Sequence, residues 1–208
     1  MNEKPPQGGF SIWRSRDAGP AAPGRQSRHH RGARLGIMKT FIALLRAVNV
    51  AGTGKLPMDV LHSMCEQTGF ANVRTYIQSG NVVFDTAMPA SAVQRELAAR
   101  LQDYCGKPVG VILRDGAQMR SVLARNPFPH ADPAKVAVLF LDAASAPDAV
   151  QAAKGQTDEE VVAGDLEVFI HYPSGMGRSR LRLPAATVGT ARNLNTVARL
   201  ASMALGGK

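Results

Sequence analysis

Arginine, lysine, asparagine and glycine recur in this chain where a fold must turn, and that set is suited to holding an anion. Gly175-Met-Gly-Arg-Ser-Arg180 places Arg178, Ser179 and Arg180 just after a glycine-rich turn. Guanidinium forks and exposed backbone N–H groups are the means by which proteins grip phosphate or carboxylate. Arg192 and Asn193 stand at the head of the last helical stretch, whose first amides carry partial positive charge and would add a second hold on an anion. Two more polar clusters lie upstream: Arg46, Asn49 and Lys55, then Gln78, Ser79 and Asn81. His171 closes an apolar run, where a strand-end acid or base is one reading and a satisfied structural histidine the commoner one.

Other chemistries have less behind them. Ser79 in Gln-Ser-Gly-Asn matches half of a nucleophile elbow, but the elbow is a strand-to-helix turn and this stretch reads as a hairpin. A turn serine bonding local backbone, with Gly80 supplying positive φ, is the ordinary role. His62 falls within an amphipathic helix pattern and His130 in a Pro-rich loop, and neither has a partner at metal-ligand spacing. Gly175-Met-Gly-Arg-Ser-Arg180 lacks the Gly-Lys-Ser/Thr ending of a phosphate loop, and no Gly-x-Gly-x-x-Gly opens a helix after the first strand. The sequence therefore calls for no cofactor and no metal.

The elements that must position these residues follow from periodicity. Phe41, Ala43 and Leu45 alternate with Ile42 and Leu44, a strand buried on both faces until Arg46. Pro57 suits a first helical position, Met58, Leu61, Met64 and Cys65 form an apolar stripe, and Gly69 ends it. Arg74-Thr-Tyr-Ile-Gln-Ser-Gly-Asn-Val-Val-Phe84 is a hairpin, with Val73, Thr75 and Ile77 on one side of its first limb and Arg74, Tyr76 and Gln78 on the other. Ser91 with Gln94 reads as a capping box, Val93, Leu97, Leu101 and Cys105 share a helix face, and Gly106 stops it. Val109, Val111 and Leu113 make a fourth strand.

That order predicts an α+β fold: a ferredoxin-like βαββαβ N-terminal subdomain over 38–114, followed by a smaller α+β subdomain over 115–208. With sheet order 4-1-3-2, the first two strands run parallel, so the loop after Arg46 and the turn Gln78 to Asn81 emerge at one rim. In the second half Asp115 caps a short helix carrying Met119, Val122 and Leu123, and Val136 to Leu141 and Leu166 to Tyr172 are strands. Ala146 to Lys154 has a modest helical period, and Thr157 to Val162 is open between helix and strand. Leu194, Val197, Leu200, Ala201 and Ala204 stripe a C-terminal helix, with Asn193 as its cap and Gly206 and Gly207 as its end.

Composition bounds the possibilities. The 208 residues are 45% hydrophobic and 20% charged, ordinary for a globular chain, and no apolar run reaches the roughly 18 residues of a membrane helix. Cys65 and Cys105 are too few for a disulfide scaffold and read as core residues of a cytoplasmic protein. Over half of the net charge of +9 comes from residues 1–37, a Pro, Gly, Arg and Ser-rich stretch without hydrophobic periodicity, expected to be a disordered basic tail and an upstream-start extension ahead of Met38. After Glu167 the chain has no Asp or Glu, so its last part is locally basic.

Three phrases carry a resemblance: Phe41-Ile-Ala-Leu-Leu-Arg-Ala-Val-Asn-Val50, Val73-Arg-Thr-Tyr-Ile-Gln-Ser-Gly-Asn-Val-Val-Phe84 and Thr190-Ala-Arg-Asn-Leu-Asn-Thr-Val197. In order and spacing, together with His171-Tyr-Pro-Ser-Gly-Met-Gly-Arg-Ser179, the chain from Met38 to about Ala204 resembles the bacterial domain-of-unknown-function 1697 family. It departs at Ala47 and Ala51, where that family usually has glycine, and at Leu194, where Trp is usual. The resemblance implies an α+β fold of two subdomains in a bacterial cytoplasm and brings no established activity.

An RNA-recognition module is the nearest functional analogue of a ferredoxin-like half, but it stacks bases on strand aromatics that Phe41 to Leu45 and Asn81 to Asp85 do not supply. The leading expectation is a protein binding an anionic small molecule or nucleic acid in a cleft between subdomains. There Arg46, Lys55 and Arg178 would supply charge, and Asn49, Gln78, Asn81 and Asn193 would orient the ligand. An enzyme acting on a phosphorylated or carboxylated small molecule, and a structural partner-binding domain, are the alternatives.

Overall fold

The strand β1 (Lys39–Leu45) joins the two cores of the protein. Strand alternation sends Phe41, Ala43 and Leu45 to one face and Ile42 and Leu44 to the other, and all are buried. The structure, a computed structural model, describes residues 37–49, 55–144 and 150–206. The expected basic tail, Ala51 and Gly207 lie outside the described residues.

Around β1 are β2 (Ala71–Tyr76), β3 (Asn81–Thr86) and β4 (Val111–Asp115), in the order β2-β3-β1-β4 with every neighbour antiparallel. This is the ferredoxin-like order expected from the sequence, and it makes β1 and β2 parallel. The face carrying Phe41, Ala43, Leu45, Val82 and Phe84 packs against α1 (Met58–Gln67) and α2 (Ala90–Cys105) through Leu61, Cys65, Leu97 and Leu101. Each such fully buried aliphatic side chain favours folding by roughly 1.5–3 kcal/mol.

The opposite face, with Ile42, Leu44, Val83 and Ile112, meets α3 (Gly116–Ala124), α4 (Leu194–Ala204) and one side of a second sheet. That sheet consists of β5 (Val136–Phe140), β6 (Glu160–Ala163), β7 (Glu167–His171) and β8 (Thr190–Asn193), again antiparallel, in the order β6-β7-β5-β8. Val138, Phe140 and Phe169 face the shared core. On the outer side, Leu139, Leu141, Val168 and Ile170 are covered by Val150, Ala153, Leu181 and Leu183, which belong to irregular chain. Arg114 ties β4 to the second sheet: its buried guanidinium donates to the carbonyls of Leu141 at 2.6 Å and Leu166 at 3.0 Å. Among the described residues no helix is long and apolar enough to cross a membrane.

Several local expectations need correction. Ser91 and Gln94 form no capping box: α2 follows Pro89 without a side-chain cap, and Gln94 reaches instead to the carbonyl of Val111 and the carboxylate of Asp142. The stronger offer came from elements distant in sequence. Pro57 lies one position before α1 rather than inside it. Ile77 is not part of the hairpin limb; β2 ends at Tyr76 and Ile77 turns with φ 48°, 48% exposed. Cys65 is buried but Cys105 is only half-buried, at the last position of α2. In the stretch from Ala146 to Lys154, residues 146–149 lie outside the described residues, and the remainder is a turn leading into an isolated bridge. Of Thr157 to Val162, only the part from Glu160 is strand, as β6, and Thr157 to Glu159 form irregular chain. Asp115 caps α3 as expected, in a full capping box with Gln118.

Candidate anion-binding site

The parallel course of β1 and β2 brings the loop after Leu45 and the hairpin turn to one rim, where Leu45 N–H donates to the Gly80 carbonyl at 2.8 Å. Asn49, at φ 56°, donates through Nδ2 to the carbonyls of Leu56 at 2.8 Å and Gln78 at 2.7 Å, and its Oδ1 accepts from Leu56 N–H at 2.7 Å. Gly80, at φ 75°, permits the close approach: a Cβ there would fall 2.4 Å from Val48 Cγ2. Asn81 is fully buried and donates to the Tyr76 carbonyl and to Ser79 Oγ, each at 3.0 Å.

Arg192 completes this rim, in a way the sequence did not foretell. It projects from β8 with 7% exposure and donates to Asn81 Oδ1 at 2.5 Å, Thr190 Oγ1 at 2.7 Å, and the carbonyls of Leu45 at 2.9 Å, Ser79 at 2.8 Å and Ala191 at 2.8 Å. Those acceptors engage all the directions in which a guanidinium can donate. Burial pushes its pKa down to about 10, so it stays a cation at neutral pH. Arg192 is therefore a clamp between the two sheets rather than an open anion hold, which corrects the sequence expectation. Asn193 Oδ1 likewise accepts from Thr196 N–H at 2.9 Å as the cap of α4. Arg46 donates to the Thr187 carbonyl and lies across Gly110, while Lys55 is exposed.

The structure thus gathers Arg46, Asn49, Gln78, Ser79, Asn81 and Arg192, largely to join protein to protein. Hydrogen bonds and cavity linings put Arg178, Ser179 and Arg180 with a different set. His171 goes to neither: its Nδ1 is 2.9 Å from Glu160 Oε1 across the β6–β7 ladder, and its ring lies 5.4 Å from that of Phe128.

Arg180 lines a groove of about 690 Å³ on the covered side of the second sheet, together with Lys154, Gly155, Ser179, Leu181 and Arg182. Lys154 and Arg182 form an antiparallel bridge, exchanging both backbone hydrogen bonds at 2.9 and 2.8 Å. Directly opposed residues of such a bridge project to the same side. Gly155, at φ 69°, lets the strands close, since a Cβ there would sit 2.5 Å from the Arg180 carbonyl oxygen. Among the described residues, the groove lining contains three cations and no carboxylate. Lys154 and Arg182 were not singled out in the sequence. Gly155 beside Lys154 was the available signal, but its partner strand is remote.

A second cavity, of about 360 Å³, shares Ser179 with the groove. It is lined also by Asp158, Glu159, Tyr172, Ser174 and Arg178. Glu159, 4% exposed and enclosed by its own loop and the facing turn, accepts from Ser179 Oγ, from Thr157 N–H at 2.7 Å and from Thr157 Oγ1 at 3.2 Å. The Ser179 bond leads these causes in holding its pKa at about 2. A carboxylate that acidic is a poor proton acceptor, so the Ser179–Glu159 pair fixes the loop and does not generate an alkoxide. Asp158 Oδ2 accepts from Ser174 Oγ at 2.6 Å and N–H at 3.1 Å, and the Ser174 hydroxyl is the main reason its pKa is lowered.

The family model described as a protein of unknown function, DUF1697, matches residues 38–169. This chain belongs to the DUF1697 family. No curated protein matches it. Among solved structures it is similar to the conserved bacterial protein SP0830 from Streptococcus pneumoniae, at 21% identity over 80% of this chain and 99% of that one, with a TM-score of 0.65. At that identity the likeness shows the fold alone and leaves the chemistry to this chain's own residues.

Proposed function

We propose that this DUF1697 protein binds a small phosphate- or carboxylate-bearing ligand in the groove of Lys154, Arg180 and Arg182. One observation carries the reading: Lys154 and Arg182 are like charges held directly opposite each other by two backbone hydrogen bonds. Such a pairing is unfavourable on its own, by up to about 1 kcal/mol, and becomes favourable when an anion bridges the two side chains. The Gly155 contact with Arg180 adds a third cation to the same lining. Among the described residues the groove lining has no aromatic side chain, which argues against base stacking and for recognition of the charged group itself.

Titration calorimetry with inorganic phosphate and with citrate, at low and physiological salt, tests this. Binding weakens with salt, because these side chains are exposed and screened. Lys154→Gln and Arg182→Gln each reduce affinity by about tenfold, the loss of one charge-assisted hydrogen bond. The same single substitutions raise the melting temperature of the ligand-free protein slightly by relieving repulsion. Unchanged anion affinity in both variants would sink the reading.

A further inference from the structure

The groove and the 360 Å³ cavity share Ser179 in their linings, and the second lining differs in character. Resting on the anion-binding reading, we infer that the ligand is a phosphorylated polyol such as a sugar monophosphate, with the phosphate on Lys154, Arg180 and Arg182 and the hydroxyl-bearing body beside Asp158, Tyr172 and Ser174. The two volumes are of the size that small-ligand sites occupy, about 300–1,000 Å³.

The chemistry of each lobe supports the division. Ionised carboxylates only accept hydrogen bonds, and the vicinal hydroxyls of a polyol are donors that match them. Asp158 Oδ2 accepts from Ser174 and Oδ1 accepts a long 3.4 Å bond from Thr157 Oγ1; a carboxylate has about four acceptor positions, which leaves capacity for a ligand hydroxyl. Asp158 is exposed and Tyr172 half-buried, and both line the cavity. The negative charge of Asp158 and Glu159 also opposes a second phosphate in this lobe, which favours a monophosphate over a diphosphate. Arg178 lies in the same lining, where its guanidinium can donate to hydroxyl oxygens.

Calorimetry of the full chain with inorganic phosphate, glucose 6-phosphate, glucose and fructose 1,6-bisphosphate separates the outcomes. Glucose 6-phosphate binds at least about tenfold more tightly than phosphate, since hydrogen bonds to a charged acceptor add to the same anchor. Asp158→Asn removes that advantage and leaves phosphate affinity equal or slightly higher. Asp158 is exposed and Asn keeps an acceptor for Ser174, so the variant folds, and a cooperative melting transition close to that of the parent verifies it. Absence of any phosphate binding would overturn the anion site itself. Phosphate binding with no gain from the sugar, or a bisphosphate binding tightest, would overturn only the polyol assignment.

Discussion

Arg192 Nε donates to Asn81 Oδ1 at 2.5 Å, a bond between residues 111 apart in the chain that locks β8 of one sheet to the hairpin of the other. Both partners are buried, and no carboxylate shares the site: the guanidinium is solvated by an amide, a hydroxyl and main-chain carbonyls. Replacing it leaves several buried acceptors without a donor, each costing about 1–3 kcal/mol. Arg192→Met should therefore lose about 3 kcal/mol or more in urea denaturation. Arg192→Lys should recover little, because an ammonium cannot reproduce the planar fork. Phosphate affinity of the folded fraction, measured at low temperature, should be unaffected.

The loop after β1 stores backbone strain at Ala47, which adopts φ 54°. A Cβ in the left-handed region costs about 1–2 kcal/mol, partly offset by the extra freedom glycine has when unfolded. Ala47→Gly should raise stability by about 0.5–1 kcal/mol, readable as a higher denaturation midpoint at constant slope. Gly80→Ala should do the reverse by a larger margin, since it combines φ 75° with a 2.4 Å approach to Val48.

Glu159 gives the fold a dependence on acid. Its carboxylate is held ionised down to about pH 2, mainly by Ser179, whereas in the unfolded chain it protonates near its ordinary value of 4.5. Its bonds to Ser179 and Thr157 thus favour the folded state fully above pH 4.5, and that advantage drains away as pH falls to about 2. Glu159→Gln should lower the melting temperature at pH 7 and flatten its decline between pH 4.5 and 2 relative to the parent protein. Identical pH profiles would show that the clasp contributes nothing.

The two thiols should separate in reactivity. Burial, with a smaller contribution from Glu66, pushes the Cys65 thiol up to about 12, which leaves almost no thiolate at neutral pH. Cys105 is half-buried near the end of α2. In native protein an aromatic disulfide reagent should label Cys105 first and Cys65 only on unfolding; equal rates for both would show that the α1 core opens readily.

Local periodicity determined much of this protein. Alternation in Phe41 to Leu45 marked a strand buried on both faces, the stripes of α1, α2 and α4 marked their inward sides, and Asp115 and Asn193 were readable as caps because their partners lie three residues away. The order of those elements was enough for the ferredoxin-like sheet and the rim where Asn49 meets Gln78. What the polar residues do at that rim and beyond was decided only by tertiary structure. Arg192 sits in a four-residue strand in a basic stretch and reads as an anion hold at the head of the last helix, yet β8 lies against β5 and carries it into the junction of the sheets. Lys154 and Arg182 have no mutual signal in the sequence, because their pairing depends on two irregular segments folding over the same apolar face. A helix stripe or a cap is recorded in neighbours three or four positions away, whereas whether a guanidinium finds protein carbonyls or open solvent depends on chain brought from more than a hundred residues off.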